Sequence, residues 1–102
     1  LLFFRDLSRN NLRNLDAHTF RYLKRLRTLN LRRNHLRSIP KGLEEVQLLK
    51  LDLRLNLIST ISPPDLYSLS RVRSVDLSRN FIKEWPKSSP ATGNSTSVIE
   101  RL

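Results

Sequence analysis

Aliphatic residues recur along this chain at fixed spacing, and an asparagine accompanies each group. Four segments fit the template L-x-x-L-x-L-x-x-N-x-L, where L stands for an aliphatic residue: Leu2 to Leu12, Leu26 to Leu36, Leu48 to Ile58 and Val72 to Ile82. The asparagines, Asn10, Asn34, Asn56 and Asn80, are separated by 24, 22 and 24 residues. A period of roughly 20–29 residues is typical of a solenoid, in which each copy forms one turn of a coil.

Within each copy, apolar and polar residues alternate, as in Leu-Asn-Leu at 29–31, Leu-Asp-Leu at 51–53 and Val-Asp-Leu at 75–77. This alternation predicts a short strand with one buried face. Strands at the same place in successive coils lie side by side, so we expect a parallel sheet whose polar face is open. Arg5 stands where the first copy should have an aliphatic residue, which indicates that this copy is distorted or lies near an end.

The segment after each strand carries further apolar residues that we expect to close the other side of the core. They are Leu12, Leu15, Phe20 and Leu23, then Leu36, Ile39 and Leu43, then Ile58, Ile61, Leu66 and Leu69. Prolines at 40, 63, 64 and 86 argue against regular helices in these return segments. Trp85 follows Ile82 at the spacing of Leu15, Ile39 and Ile61, so it is predicted to be a core residue and not a ligand contact. The Ser-, Thr- and Pro-rich stretch 87–98 is predicted to be a mobile bulge on the outer surface.

The asparagine in each copy is predicted to be structural. Its amide carries donors and an acceptor, which can satisfy backbone groups left unpaired where the chain turns inward. Stacked copies would then place Asn10, Asn34, Asn56 and Asn80 in a ladder.

The domain prediction is a single array over residues 1–102, with repeats starting near 2, 26, 48 and 72 and an incomplete one at 99. The missing initiator Met and the incomplete fifth copy indicate a piece of a longer protein, without its caps. No apolar run approaches the ~20 residues of a membrane span, so no membrane contact is expected from this segment.

The amino-acid composition excludes several kinds of active site. The chain has no Cys, no Met and two Gly, which excludes thiol chemistry, cysteine metal sites and glycine-rich phosphate loops. His18 and His35 have no nucleophile or metal-ligand partners at suitable spacing, and both are expected at the surface. Asp52 and Asp76 recur because the repeat does, so they are not a catalytic pair. We expect no enzyme activity, cofactor or metal.

These residues resemble the extracellular leucine-rich-repeat family, in which copies of about 24 residues carry a return-segment Phe, as Thr19-Phe20-Arg21 does here. The Asp-Leu-Ser-x-Asn motifs at 6–10 and 76–80, and the long return reaching Ile99-Glu100-Arg101-Leu102, are similar to the N-terminal repeats of leucine-rich-repeat and immunoglobulin-like-domain transmembrane proteins. The resemblance implies an α/β-type solenoid, with a short parallel concave sheet and mostly irregular or short-helical convex returns. It also implies a cell-surface receptor or receptor regulator whose protein partner is a growth-factor receptor.

The concave face should present four columns of side chains, one residue from each copy. The columns are Phe4, Thr28, Lys50 and Ser74; Asp6, Asn30, Asp52 and Asp76; Ser8, Arg32, Arg54 and Ser78; and Arg9, Arg33, Leu55 and Arg79. We interpret this acidic and basic face as a protein-binding surface, with Arg as a bidentate donor and exposed Phe4 or Leu55 as apolar anchors. The alternative interpretation is that pairs such as Asp52 and Arg54 only neutralise each other.

Charge raises a second functional alternative. The formal net charge is +10, and residues 1–37 carry ten Lys/Arg and two acids, a net +8. The group Arg21, Lys24, Arg25, Arg27, Arg32, Arg33 and Arg37 indicates a heparin-like polyanion partner, whereas few nearby aromatics make nucleic acid a weaker candidate. The repeat geometry divides this group between surfaces, which weakens the polyanion hypothesis.

Localisation rests on the resemblance and on one motif. Asn94-Ser95-Thr96 is an N-glycosylation acceptor in a polar return segment, which favours the extracellular face of the cell surface. The alternative is an intracellular repeat adaptor in the cytoplasm.

Overall fold

The computed structural model describes residues 3–84 and the backbone of residues 98–101. The predictions made for Leu2, Trp85, the stretch 87–97 with Asn94, and Leu102 lie outside the described residues.

The concave sheet is parallel and follows the chain order. Its strands are β1 (Phe4–Asp6), β2 (Thr28–Asn30), β3 (Lys50–Asp52), β4 (Ser74–Asp76) and β5 (Val98–Arg101). Arg5 pairs with Leu29, Leu29 with Leu51, and Leu51 with Val75, so equivalent positions of the repeat are in register. β5 continues the sheet beside β4 with an irregularity between Val75 and Asp76. The predicted α/β-type solenoid is confirmed.

The core lies directly behind the sheet. Leu29, Leu51 and Val75 point inward and are 1, 2 and 0% exposed. Phe20, Ile39, Leu43, Ile58, Ile61 and Leu69 from the return segments are also buried, and Leu12, Leu15, Leu23 and Leu66 pack against them. Arg5 occupies the equivalent inward position of β1 and is exposed, which agrees with a distorted first copy.

The return segments are partly helical. The first and second returns contain 3₁₀ helices at Ala17–Tyr22 and Leu43–Glu45, and the third contains an α-helix, α1, at Pro63–Ser70.

The expectation that prolines exclude a regular helix in the third return was wrong. Pro63 and Pro64 occupy the first two positions of α1, where the backbone N–H groups have no helical acceptor and proline removes nothing. Ser62 and Asp65 complete a capping box: the Ser62 Oγ accepts from the Asp65 N–H at 3.3 Å, and an Asp65 carboxylate oxygen accepts from the Ser62 N–H at 3.1 Å.

The asparagine side chains join successive coils. Asn56 is 2% exposed, and its Nδ2 donates to the carbonyl of Leu31 in the preceding coil and to that of Leu53 in its own coil, each at 3.0 Å. Its Oδ1 accepts the backbone N–H of Leu36 at 3.1 Å. Asn34 and Asn80 repeat this arrangement towards the coils before them. The side chains of Asn34, Asn56 and Asn80 therefore satisfy backbone groups of two successive coils.

Asn10 differs from the other three. It is exposed, its Nδ2 donates only weakly within its own coil, to the Ser8 carbonyl at 3.2 Å, and its backbone N–H donates to the Oδ1 of Asn34 at 2.9 Å. Asn10 therefore takes part in the ladder mainly through its backbone.

Gly42 determines how the first two returns fit together. Its φ of 92° lies in the left-handed region, and a Cβ placed on it would lie 2.8 Å from the carbonyl oxygen of Ala17 and 3.2 Å from the Phe20 ring. The obstructing atom belongs to backbone, so it cannot move aside alone. Glycine is therefore required here by both conformation and space.

We expect Asn56→Ala to lower the free energy of unfolding by roughly 1–3 kcal/mol, because two buried carbonyls and one buried N–H lose their partner. Asn10→Ala is the matched control, and its loss should be under about 1 kcal/mol because its amide faces water. Urea denaturation followed by circular dichroism measures both. Equal losses would contradict a buried bridging role for Asn56.

We expect Gly42→Ala to lower the free energy of unfolding by about 2–3 kcal/mol, since the left-handed backbone alone costs roughly 1–2 kcal/mol with a Cβ and the contact with Ala17 adds to it. Ser38→Ala, at an exposed position of the same return, should change the value by less than about 0.5 kcal/mol. A Gly42→Ala protein as stable as the wild type would show that the two returns are not packed as described.

Candidate protein-binding face

The register of the parallel strands aligns two of the four predicted side-chain columns across the sheet. Phe4, Thr28, Lys50 and Ser74 are paired in sequence across the sheet, and so are Asp6, Asn30, Asp52 and Asp76. Neighbouring members of a column are one strand spacing apart, about 4.8 Å. The columns differ, however, in how many of their side chains already form hydrogen bonds or ion pairs within the protein.

The column of Asp6, Asn30, Asp52 and Asp76 ends the strands. In each coil, the side-chain Oδ1 accepts the backbone N–H of the residue two positions later, at 2.9, 2.9, 3.0 and 2.9 Å respectively. This is an Asx turn, which bends the chain out of the strand. Both Asp and Asn can accept this bond, so the requirement for an oxygen acceptor explains why only these two residue types occupy the column.

Arg54 ties two of these aspartates together. Its guanidinium lies 2.9 Å from a carboxylate oxygen of Asp52 and 3.4 Å from one of Asp76, while Arg32 lies 3.9 Å from Asp52 on the other side. The side chains of Asp52 and Arg54 are 22% and 35% exposed. The centre of the face is therefore a partly shielded network in which acid and base neutralise each other.

This network lowers the pKa of Asp52. Partial burial is the largest single influence and raises the pKa, but the hydrogen bonds from the side chain and backbone of Arg54, with the charges of Arg54 and Arg32, together outweigh it. At the edge of the face, hydrogen bonds from the Ser8 hydroxyl and N–H lower the pKa of Asp6. Both carboxylates are held in their charged form.

The column of Arg9, Arg33, Leu55 and Arg79 lies beyond the strands. All four residues have a left-handed backbone, with φ between 58° and 62°, in the turn that leads to the asparagine. Leu55 is half-buried, so the expectation of an exposed apolar anchor at this position is not met. Arg9, Arg33 and Arg79 are exposed at the margin of the concave face.

The column of Phe4, Thr28, Lys50 and Ser74 provides the most available side chains. Phe4 is 54% exposed and Lys50 is exposed. Together with the aspartate network these residues line a shallow groove of about 280 Å³ on the concave face. Within residues 3–84, Lys50 has no carboxylate at ion-pair distance.

The basic residues of the first third are divided between surfaces, as predicted. Arg21 lies in the last turn of the first 3₁₀ helix on the convex side, whereas Arg32 reaches Asp52 on the concave side. Arg27 lies ahead of β2, where its Nη1 donates to the carbonyls of Lys24 and Leu26.

His18 and His35 are exposed. Residues 3–84 contain no group of three or more His, Asp or Glu side chains arranged to hold a metal ion. In the same residues, no helix has the length and apolarity that a bilayer crossing requires.

The sequence indicated a pairing of Arg54 with Asp52, but sequence reasoning missed the Asx turns and the second ion pair of Arg54, with Asp76. The signal for the turns was present, since Asp or Asn follows the central apolar residue in all four copies. The contact of Arg54 with Asp76 joins two coils, so it depends on strand register and on the reach of the side chain. Neither can be read from the sequence of one copy.

Comparison with known proteins agrees with this geometry. A family profile described as leucine rich repeat matches residues 6–46. With the in-register strands and the asparagine ladder, this match shows that the chain belongs to the leucine-rich-repeat family, whose repeats generally mediate protein–protein interaction through extended concave surfaces. Podocan-like protein 1 of Mus musculus is similar to this chain, with 34% identity over 80 residues. The alignment covers 76% of the chain and 14% of the mouse protein.

We expect the free energy of unfolding to fall as the pH drops below about 4, the ordinary pKa of an aspartate, because the folded-state pKa of Asp52 is lowered. Its stabilising contribution is present above the unfolded-state pKa and is lost as the pH falls through the folded-state pKa. Asp52→Asn keeps the Asx acceptor, as Asn30 does naturally, but removes the charge. The substitution should lower the free energy of unfolding by about 0.5–1 kcal/mol at pH 7. It should also make that free energy less dependent on pH below about 4.

A double-mutant cycle with Arg54→Gln, measured by urea denaturation at pH 7 and pH 3, separates the ion pair from the turn. The coupling between the two substitutions should be present at pH 7 and reduced at pH 3. A coupling that is the same at both values would contradict an ionic contact.

Proposed function

We propose that this segment binds a protein partner on its concave face, as part of an extracellular receptor or receptor regulator. The observation that carries the proposal is the contrast between neighbouring columns. The aspartates are used by the fold, whereas Phe4 and Lys50 extend into the groove with exposed side chains.

The composition of the groove supports a protein partner. Phe4 provides an apolar anchor, Lys50 a cation, and the Asp52–Arg54–Asp76 network a rigid polar surround. Binding interfaces commonly combine a few anchors with a polar rim, and most of the affinity comes from the anchors. The best partner surface has an apolar residue beside a carboxylate, because these complement Phe4 and Lys50.

An extracellular place is supported by the resemblance of the repeats and by the Asn94-Ser95-Thr96 acceptor motif. A growth-factor receptor is the partner class that the resemblance implies, so receptor ectodomains are the first probes. An intracellular adaptor remains the competing assignment, and mass analysis of the chain secreted from animal cells, with and without glycosidase, distinguishes the two. A glycan at Asn94 requires passage through the secretory pathway.

We expect Phe4→Ala combined with Lys50→Glu to weaken binding at least tenfold, about 1.4 kcal/mol or more, because one anchor and one cation are lost. The measurement is a biosensor titration of purified growth-factor receptor ectodomains over the immobilised full chain. The probes are individual purified proteins, so each affinity belongs to a known partner.

The control is Tyr22→Ala combined with Arg21→Glu, which removes an exposed aromatic and reverses one charge on the convex side. This variant should bind like the wild type. A larger loss in the convex variant than in the concave one would overturn the concave assignment, as would an ectodomain panel with no binder.

A further inference from the structure

A second surface lies along the edge of the sheet where the strands begin. We call it the basic rim and define it as the cations directly ahead of β2 and β4: Lys24, Arg25, Arg27, Arg71 and Arg73. The segments 23–28, 46–50 and 70–74, which form this edge, contain no Asp or Glu. Because the strands are parallel and in register, these cations meet at one edge although they come from distant parts of the sequence.

Backbone contacts establish that the rim is continuous. The carbonyl of Arg27 accepts the N–H groups of Leu49 and Lys50 at 2.7 and 3.1 Å, and the carbonyl of Leu49 accepts the N–H of Ser74 at 2.9 Å. The residues before the strands are therefore stacked coil on coil. Arg27 and Arg73 are two strand spacings apart, about 10 Å, with Leu49 between them.

The rim also contains a shallow pocket. Arg71 and Arg73 line one side of a space of about 330 Å³, and Val46, Gln47, Leu48 and Leu49 line the other. The rim contains two arginine pairs, Arg25 with Arg27 and Arg71 with Arg73. Leu49 lies between them, is 47% exposed and forms an apolar floor. A ligand lying here would be partly withdrawn from water, which strengthens each charge contact.

Arg27 is fixed by backbone carbonyls, whereas Arg71 makes only a contact at the outer limit of hydrogen bonding. The Arg27 Nη1 donates to the carbonyls of Lys24 and Leu26 at 3.1 and 2.9 Å, and the Arg71 Nη1 lies 3.5 Å from the Tyr67 hydroxyl. Fixing one edge of a guanidinium leaves its remaining N–H groups available, and it reduces the entropy lost on binding.

From this geometry we infer that the basic rim binds a linear sulfated polysaccharide. Arginine matches planar and tetrahedral oxyanions through two parallel hydrogen bonds. Two arginine pairs about 10 Å apart fit a chain whose anionic groups are separated by sugar units. The rim adjoins the concave groove, but none of its five cations lines that groove, so the inference does not depend on the proposed protein partner.

Nucleic acid fits the same rim less well. A nucleic-acid strand carries one phosphate per roughly 3.4 Å of helix axis, which leaves phosphates unmatched between the two arginine pairs. Single-stranded binders also interleave cations with aromatic rings on which bases stack. The segment 46–50 between Arg27 and Arg73 offers no ring, and the exposed rings of Phe3 and Tyr67 flank the arginines and do not alternate with them.

The test is calorimetric titration of a size-defined heparin oligosaccharide into the full chain at several salt concentrations. Arg71→Gln combined with Arg73→Gln should lower the affinity about tenfold or more near 0.15 M salt, and it should reduce the slope of log affinity against log salt by about two, one per lost contact. Arg25→Gln, on a different coil, should give a smaller loss in the same direction.

The matched control is Arg13→Gln combined with Lys83→Gln. It removes the same charge from exposed positions after the strands, at the opposite edge of the sheet. This variant should retain affinity within about threefold, and circular dichroism melts establish that all variants fold. Equal losses in the two double variants would mean that net charge alone binds heparin, and would overturn the inference. Tighter rim-dependent binding of single-stranded DNA or polyglutamate of equal charge would overturn it too.

Discussion

Each coil of this chain turns inward after its strand, and the turn leaves backbone N–H and C=O groups facing the core where water cannot reach them. The buried asparagine amide satisfies them, because it is small and carries both donors and an acceptor. In Asn56 these bonds join one coil to the next, from Leu31 and Leu36 to Leu53. The stacking of coils, the register of the strands and the alignment of the surface columns all depend on this contact, since an unpaired buried group costs as much as several exposed ion pairs contribute.

The same repetition separates the charges of the surface. In the described residues, Asp6, Asp52 and Asp76 lie on the concave face, where they end the strands and meet Arg32 and Arg54. Asp65 lies on the convex side, where it caps α1 and pairs with Lys41 at 3.2 Å. The segments ahead of the strands, 23–28, 46–50 and 70–74, carry cations and no acid. A chain with a formal charge of +10 is therefore not uniformly basic. It presents a concave face of mixed charge, for which we propose a protein partner, and a basic edge, for which we propose a linear polyanion.

Much of this architecture could be predicted from the sequence, because the residues that determine it recur in every copy of the repeat. The inward positions of Leu29, Leu51 and Val75 and the role of Asn34 follow from periodicity and from the chemistry of the amide. What could not be predicted depends on contacts between coils. Gly42 is required because Ala17, 25 positions earlier, approaches it, and nothing near Gly42 in the sequence indicates this. The helix after Ser62 escapes prediction for a different reason: proline usually breaks helices, and here this rule conflicts with the capping signal of Ser62 and Asp65. The prominence of Phe4 and Lys50 on the concave face could not be predicted either. It depends on the hydrogen bonds and ion pairs that the neighbouring aspartates make within the protein.

Amide hydrogen exchange at Leu36 and Ile58 tests the central contact most directly, because their backbone N–H groups donate to the side-chain Oδ1 atoms of Asn56 and Asn80 rather than to any backbone carbonyl. The N–H groups of Leu31 and Leu53, which donate to carbonyls of the following coil, provide the internal reference. The account predicts that Leu36 and Ile58 exchange as slowly as Leu31 and Leu53, since all four open only when coils separate. Exchange at Leu36 and Ile58 at the rate of an unstructured peptide, while the strands stay protected, would contradict it.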